Sequence, residues 1–191
     1  MAPLDSMPPT NAGYVLLPIA RAAIEQTLSN NKNATGVYPE WVHEKGACFV
    51  TLQQDGQLRG CIGTIEAYRP LIEDVWSNAI SAAMRDPRFP PLQQNDLQSV
   101  HIELSLLSAC EPIYFRNEAD ALSQLRPGID GVVFEWQGRR STFLPQVWSS
   151  LEIAAEFISH LKAKAGLAPN FWAEDVNLYR YTVSKWTEDA L

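Results

Sequence analysis

The 191-residue chain is 46% hydrophobic and 19% charged, the makeup of one packed domain or of two lobes sharing a core, and this excludes disorder. Fifteen lysines and arginines stand against 22 aspartates and glutamates, a net charge of −7 that repels a phosphate backbone, and no basic run offsets it, so nucleic-acid binding is not expected. No stretch has the apolar length of a signal or membrane-spanning segment, and three scattered cysteines without a CxxC pair suit free thiols in a reducing, cytoplasmic compartment.

Residues 1–12, with Pro3, Pro8 and Pro9, read as a flexible lead-in, and 13–191 as the folded domain. Leu17, Ala20, Ile24 and Leu28 recur at helical spacing, which predicts an amphipathic helix over 14–29, broken by Asn30-Asn31-Lys32-Asn33. Residues 47–53 and 57–65 alternate as strands around Asp55-Gly56, a hairpin turn signal. Pro70 suits the first turn of a second helix, in which Ile72, Val75, Trp76, Ala79, Ile80 and Ala83 form an apolar stripe. Glu73, Asp74, Ser77, Asn78 and Ser81 are assigned to its polar face, and Pro87 ends it.

Val100, Ile102, Leu104 and Leu106 alternate with polar residues as a half-buried strand, with His101 and Glu103 on its polar face. A short helix is predicted over 118–125, and a second hairpin joins 132–136 to 140–144 across Gln137-Gly138. Ala154, Phe157, Ile158, Leu161 and Ala165 mark a further helix stopped by Gly166 and Pro169, and 176–183 forms a last strand. Two adjacent hairpins favour an α+β fold, a mostly antiparallel sheet flanked by helices, over a doubly wound parallel sheet.

Chemistry concentrates in Arg59-Gly60-Cys61-Ile62-Gly63. Strand alternation sets Arg59, Cys61 and Gly63 on one face, and a guanidinium beside a thiol favours the thiolate. Two glycines in four residues weaken a strand, so they call for a reason: close approach of a ligand, close approach of a second backbone, or a bulge. Two readings stand. Cys61 is a reactive or ligand-facing thiol, or a small buried cysteine on which another element packs. The stretch Arg85-Asp86-Pro87-Arg88 divides in the same way. Its arginines, with Arg59, clamp an anion, or Asp86 pairs locally with Arg85 or Arg88. Glu66 is an acid or base near Cys61, or a surface carboxylate. His43, His101 and His160 lack ligand spacing, and no GxGxxG, P-loop or GxSxG motif occurs, so neither a metal nor a cofactor is expected. The six tryptophans and the Tyr179, Tyr181 pair read as core.

The phrase Leu58-Arg59-Gly60-Cys61-Ile62-Gly63-Thr64 resembles the signature of the AMMECR domain family, and the likeness continues in residues 83–92 (Ala-Met-Arg-Asp-Pro-Arg-Phe-Pro-Pro-Leu). It extends through Glu103-Leu104-Ser105-Leu106, Pro127-Gly128-Ile129-Asp130-Gly131, Thr142-Phe143-Leu144-Pro145 and Lys164-Ala165-Gly166-Leu167, covering residues 12–186. The resemblance, closest to the stand-alone bacterial or archaeal type, implies an α+β fold of two lobes with the cysteine motif lining a cleft between them. It further implies a place in one pathway with Memo-type (dioxygenase-like) and radical SAM proteins, as protein A of the AmmeMemoRadiSam system. The sequence leaves two functions open. One is a cysteine-dependent enzyme acting on a small anionic substrate, with Cys61, Arg59 and Glu66 catalytic and Gly60, Gly63, Arg85, Asp86 and Arg88 binding. The other is a non-catalytic adaptor for a partner protein or ligand.

Overall fold

The computed structural model describes residues 9–29 and 36–190. The first eight residues of the lead-in and the Asn30-Asn31-Lys32-Asn33 breaker lie outside that range. The chain divides into two compact units, Met1–Leu107 with Ser184–Leu191, and Ser108–Val183. The expected α+β class holds, with two four-stranded sheets where the hydropathy pattern suggested one.

In the first unit, α1 (Gly13–Ser29) precedes a hairpin of β1 (Ala47–Gln54) and β2 (Gln57–Gly63). Asp55 (φ 53°) and Gly56 (φ 73°) make its left-handed turn, as the Asp-Gly signal requires. Then come α2 (Leu71–Met84), β3 (Val100–Leu107) and, from the end of the chain, β8 (Val183–Thr187), giving the order β2-β1-β3-β8. β1 runs antiparallel to both β2 and β3. α1 and α2 pack on the face formed by Cys48, Val50, Leu52, Ile102 and Leu104, all essentially inaccessible to solvent. Each such aliphatic side chain contributes about 1.5–3 kcal/mol by leaving water.

The second unit holds β4 (Glu111–Ile113), α3 (Glu118–Ser123), β5 (Gly131–Trp136), β6 (Arg139–Phe143), α4 (Ala154–Lys164) and β7 (Asn177–Tyr181). Its strands follow the order β4-β7-β5-β6, every pairing antiparallel. Its core stacks Trp148 on Phe157 at 3.9 Å with rings 7° apart, and the Trp148 indole N–H donates to the Asp130 carbonyl at 2.7 Å. The predicted last strand, 176–183, is two: Thr182 leaves the ladder to exchange backbone and hydroxyl bonds with Ser108, and the chain re-enters as β8.

The polar face assigned to α2 needs correction. Asp74 is fully buried and Asn78 is 3% exposed, whereas Ile72, Trp76 and Ile80 are only partly covered. The reason is hydrogen bonding. Asp74 Oδ2 accepts from the Cys48 backbone N–H (2.9 Å), the Asn78 amide (2.9 Å) and the Thr64 hydroxyl, while Oδ1 accepts from Arg69 Nε at 2.8 Å. Asn78 also donates to the Cys48 carbonyl at 3.0 Å. A carboxylate so completely bonded and paired tolerates burial that would otherwise be prohibitive. The same carboxylate and the loss of water push the Cys48 thiol pKa well above its ordinary value, burial being the larger cause.

Asp74→Ala should therefore strand the Arg69 charge and three donors at once, lowering unfolding free energy by about 3–5 kcal/mol. Urea denaturation measures this, and a loss under about 1 kcal/mol would show the cluster to be ornamental.

Candidate functional site

The hairpin turn alone would pair Gln54 with Gln57 and continue residue for residue to set Cys61 opposite Val50, on the helix face. Instead Gln53 pairs with Leu58 and Leu52 with Gly60, which leaves Arg59 as an extra residue without a cross-strand partner. This bulge shifts the register by one, and a one-residue shift exchanges the faces of everything beyond it. Gly60 turns toward α2, and Cys61 lands opposite Thr51 on the face away from the helices.

Both glycines are then accounted for by packing. A methyl group at Gly60 would collide with the Ala82 carbonyl of α2, and one at Gly63 with the Phe49 ring and the Cys48 carbonyl. Of the reasons for two glycines in this strand, close backbone approach and an adjacent bulge are the ones realised at Gly60.

Asp86 and Arg88, in the loop after α2, close the outer edge of β2. The Cys61 N–H donates to Asp86 Oδ2 at 2.8 Å, and Arg88 Nη2 donates to the Cys61 carbonyl at 3.3 Å. Arg88 also binds Asp86 through Nε (2.9 Å), Nη2 (2.7 Å) and its backbone N–H (3.1 Å). The pair offers β2 an acceptor and a donor as a neighbouring strand would, and so protects a sheet edge. Since Cys61 spends its own N–H and C=O outward, Cys61 and Thr51 form a non-hydrogen-bonded pair, whose side chains lie closest. The Thr51 hydroxyl donates to Cys61 Sγ at 3.3 Å.

The half-buried sulfur thus heads a cross-strand row: Cys61, Thr51, Glu103 and, from β8, Lys185, whose Nζ lies 3.1 Å from Glu103 Oε1. The guanidinium set against Cys61 is that of Arg88, whose pKa is raised chiefly by Asp86 and further by Cys61. Arg59 contributes differently. Its Nη1 is shielded from solvent and, among the described residues, meets no hydrogen-bond acceptor.

The other candidates are exposed. Arg85 is exposed at the C-terminal cap of α2, its N–H bonded to the Ser81 carbonyl. Glu66 lies exposed in the bend after β2, and its carbonyl accepts from the Tyr68 N–H. His101 Nδ1 lies 2.7 Å from Asp189 Oδ1. Among the described residues no three His, Cys, Asp or Glu side chains gather as metal ligands, and no helix is long and apolar enough to cross a membrane. Thr51 was missed by sequence reading. Its signal is the hairpin register, legible only once the bulge is known.

Comparison with known proteins gives the family and the fold. A family model described as AMMECR1 matches residues 17–186. Protein MJ0810 of Methanocaldococcus jannaschii is 40% identical over 177 residues, covering 88% of this chain and 86% of that protein. A protein of Methanothermobacter thermautotrophicus is 38% identical over 185 residues, covering 93% and 94%. The crystal structure of the uncharacterized protein PH0010 from Pyrococcus horikoshii aligns with a TM-score of 0.76 at 32% identity, covering 93% of this chain and 91% of that one.

The Arg88 guanidinium, helped by the two backbone N–H groups, holds the Asp86 carboxyl well below the usual carboxylate range against the opposing effect of burial. A depressed carboxyl stabilises the fold fully above its unfolded value, near about 4, and loses that contribution as pH falls toward the folded value. The difference in urea midpoint between the native chain and Asp86→Asn should be widest at neutral pH and shrink below about pH 4. A difference independent of pH would mean the charge on Asp86 contributes nothing.

Proposed function

The chain belongs to the AMMECR1 family, and we propose that within it the protein works as a cysteine-dependent enzyme on a small anionic substrate, with Cys61 as the nucleophile. The observation that carries this reading is the geometry around the sulfur. The Thr51 hydroxyl donates to Sγ, and the Arg88 guanidinium is bonded to the carbonyl of the same residue. Arg59 supports the choice of substrate, because a shielded guanidinium nitrogen without an acceptor is an unmet donor that an anionic oxygen satisfies. Arg88 keeps half its side chain exposed while bound to Asp86, so it can add a second contact. In this assignment Asp86, Gly60 and Gly63 position Cys61 and touch no substrate, and Glu66 and Arg85 stand outside the reacting group.

A second reading has its own support. The hydrogen bond that reaches Sγ comes from the Thr51 hydroxyl, which is no base at neutral pH. A domain that holds an anionic ligand or partner without turnover needs no such base. The proposed partners, Memo-type and radical SAM proteins, rest on the family likeness.

Peptide-mapped alkylation of the folded chain with iodoacetamide separates the two readings. Cys61 should react at neutral pH while fully buried Cys48 is spared, and Thr51→Val should slow Cys61 roughly tenfold by removing one hydrogen bond to a charged group. Added phosphate should protect Cys61, and Arg59→Met should abolish protection without changing the unprotected rate. Reaction of Cys61 only after denaturation would sink the enzymatic reading. Phosphate protection that survives Arg59→Met would sink the role of Arg59.

A further inference from the structure

Away from the cysteine row, α2 carries a second feature that no part of the proposed chemistry uses. Ile72 and Trp76 lie four residues apart and form one ridge of the helix, and Glu73 and Ser77 form the next. With Tyr38 and Arg69 at the sides they line an open groove of about 520 Å³. Apolar exposure continues beyond it. Val37, next to Tyr38, is fully exposed, and Tyr68, which stacks on the Arg69 guanidinium at 5.0 Å, is 59% exposed. A soluble surface rarely keeps a contiguous aromatic and aliphatic patch of this kind uncovered without a use for it.

The charges select the occupant. Arg69 lines the groove, but its guanidinium is paired with the buried Asp74 carboxylate. Among the described residues the exposed Glu73 carboxylate is therefore the groove's uncompensated charge, on a chain whose net charge is −7. That combination repels acidic ligands and complements a cation. The groove is open and its lining more apolar than polar, so a small polar metabolite would stay largely in water. Flat aromatic walls beside an aliphatic ridge do suit the pyrrolidine rings of an extended proline-rich segment, which loses little entropy on docking. A neighbouring arginine or lysine would pair with Glu73 and lie over the Trp76 ring.

We propose that the groove formed by Tyr38, Ile72, Glu73 and Trp76 docks a proline-rich, basic segment of a partner protein. The docking is independent of the chemistry assigned to Cys61, and blocking that thiol leaves it intact.

The test is fluorescence anisotropy of the full chain with a labelled proline-rich peptide carrying one arginine. Saturable binding is expected, weakened roughly tenfold by Trp76→Ala and up to about fivefold by Glu73→Gln. Glu73→Gln should leave unchanged the binding of the same peptide with its arginine replaced by alanine, and added salt should weaken only the arginine peptide. Melting curves check that each variant is folded. If Trp76→Ala is not, the exposed-charge variant Glu73→Gln decides alone. Absence of saturable binding, indifference of the arginine peptide to Glu73→Gln, or preference for a glutamate-bearing peptide overturns the proposal. So does self-association of the native chain in sedimentation that Trp76→Ala or Glu73→Gln abolishes, since it would assign the groove to a second copy.

Discussion

A single surplus residue in β2 governs the arrangement around the cysteine. Arg59 occupies a position that the facing strand does not match, so the pairing slips by one between Leu58 and Gly60. Without that slip the thiol would be driven into the face where Val50 and Leu52 pack against helices, and Gly60 would waste its missing side chain on the opposite side. With it, the residue that must be small meets the Ala82 carbonyl, and Cys61 faces away from the helices. The bulge also removes Arg59 from the regular alternation, which is how a guanidinium next in sequence to the motif comes to hold an unbonded, shielded nitrogen.

Helix α2 is fastened to the hairpin by the same device at both ends. Toward its start, Asp74 accepts the backbone N–H of Cys48 in β1 and pairs with Arg69. Just past its end, Asp86 accepts the backbone N–H of Cys61 in β2 and pairs with Arg88. In each case a carboxylate taken from water is compensated by a strand peptide N–H, a guanidinium and further donors, the condition under which a buried charge is tolerated. The arrangement also fixes direction. Two separate strand residues must meet two separate aspartates, so α2 cannot slide or rotate on the sheet without breaking one of them. Apolar contact, being non-directional, would permit both.

How much of this was legible follows from the same contrast. The two hairpins, the half-buried alternation of β3 and the existence of α1, α2 and α4 are written in local periodicity and turn residues such as Asp55-Gly56. The orientation of α2 is not, because hydropathy counts Asp74 and Asn78 as outward and records nothing of the Cys48 backbone or Thr64 that satisfies them. The split of the last strand escaped for a similar reason. Hydropathy runs on through Tyr181, Thr182 and Val183, while the event that divides them is a bond to Ser108, distant in sequence. Cys61 is hydrogen-bonded to Asp86 and Arg88, singled out from a separate motif, across 25 or more residues of sequence. Their division of labour depends on a bulge that no local pattern announces.

That division narrows where chemistry can reside. Gly60 and Gly63 are occupied by close packing, Asp86 by an edge hydrogen bond and an ion pair, and Arg88 in part by the same pair. A motif made only of such residues would be explained by folding alone. Two atoms are left over. Cys61 is partly buried with its Sγ bonded to a hydroxyl that needs no sulfur, and Arg59 Nη1 is enclosed without an acceptor among the described residues. Neither contributes to stability as a buried apolar group or a satisfied donor would, and an unmet guanidinium donor costs the fold free energy. The unmet donor of Arg59, on the very residue that makes the register slip, is the group that an anionic ligand of the proposed kind would satisfy.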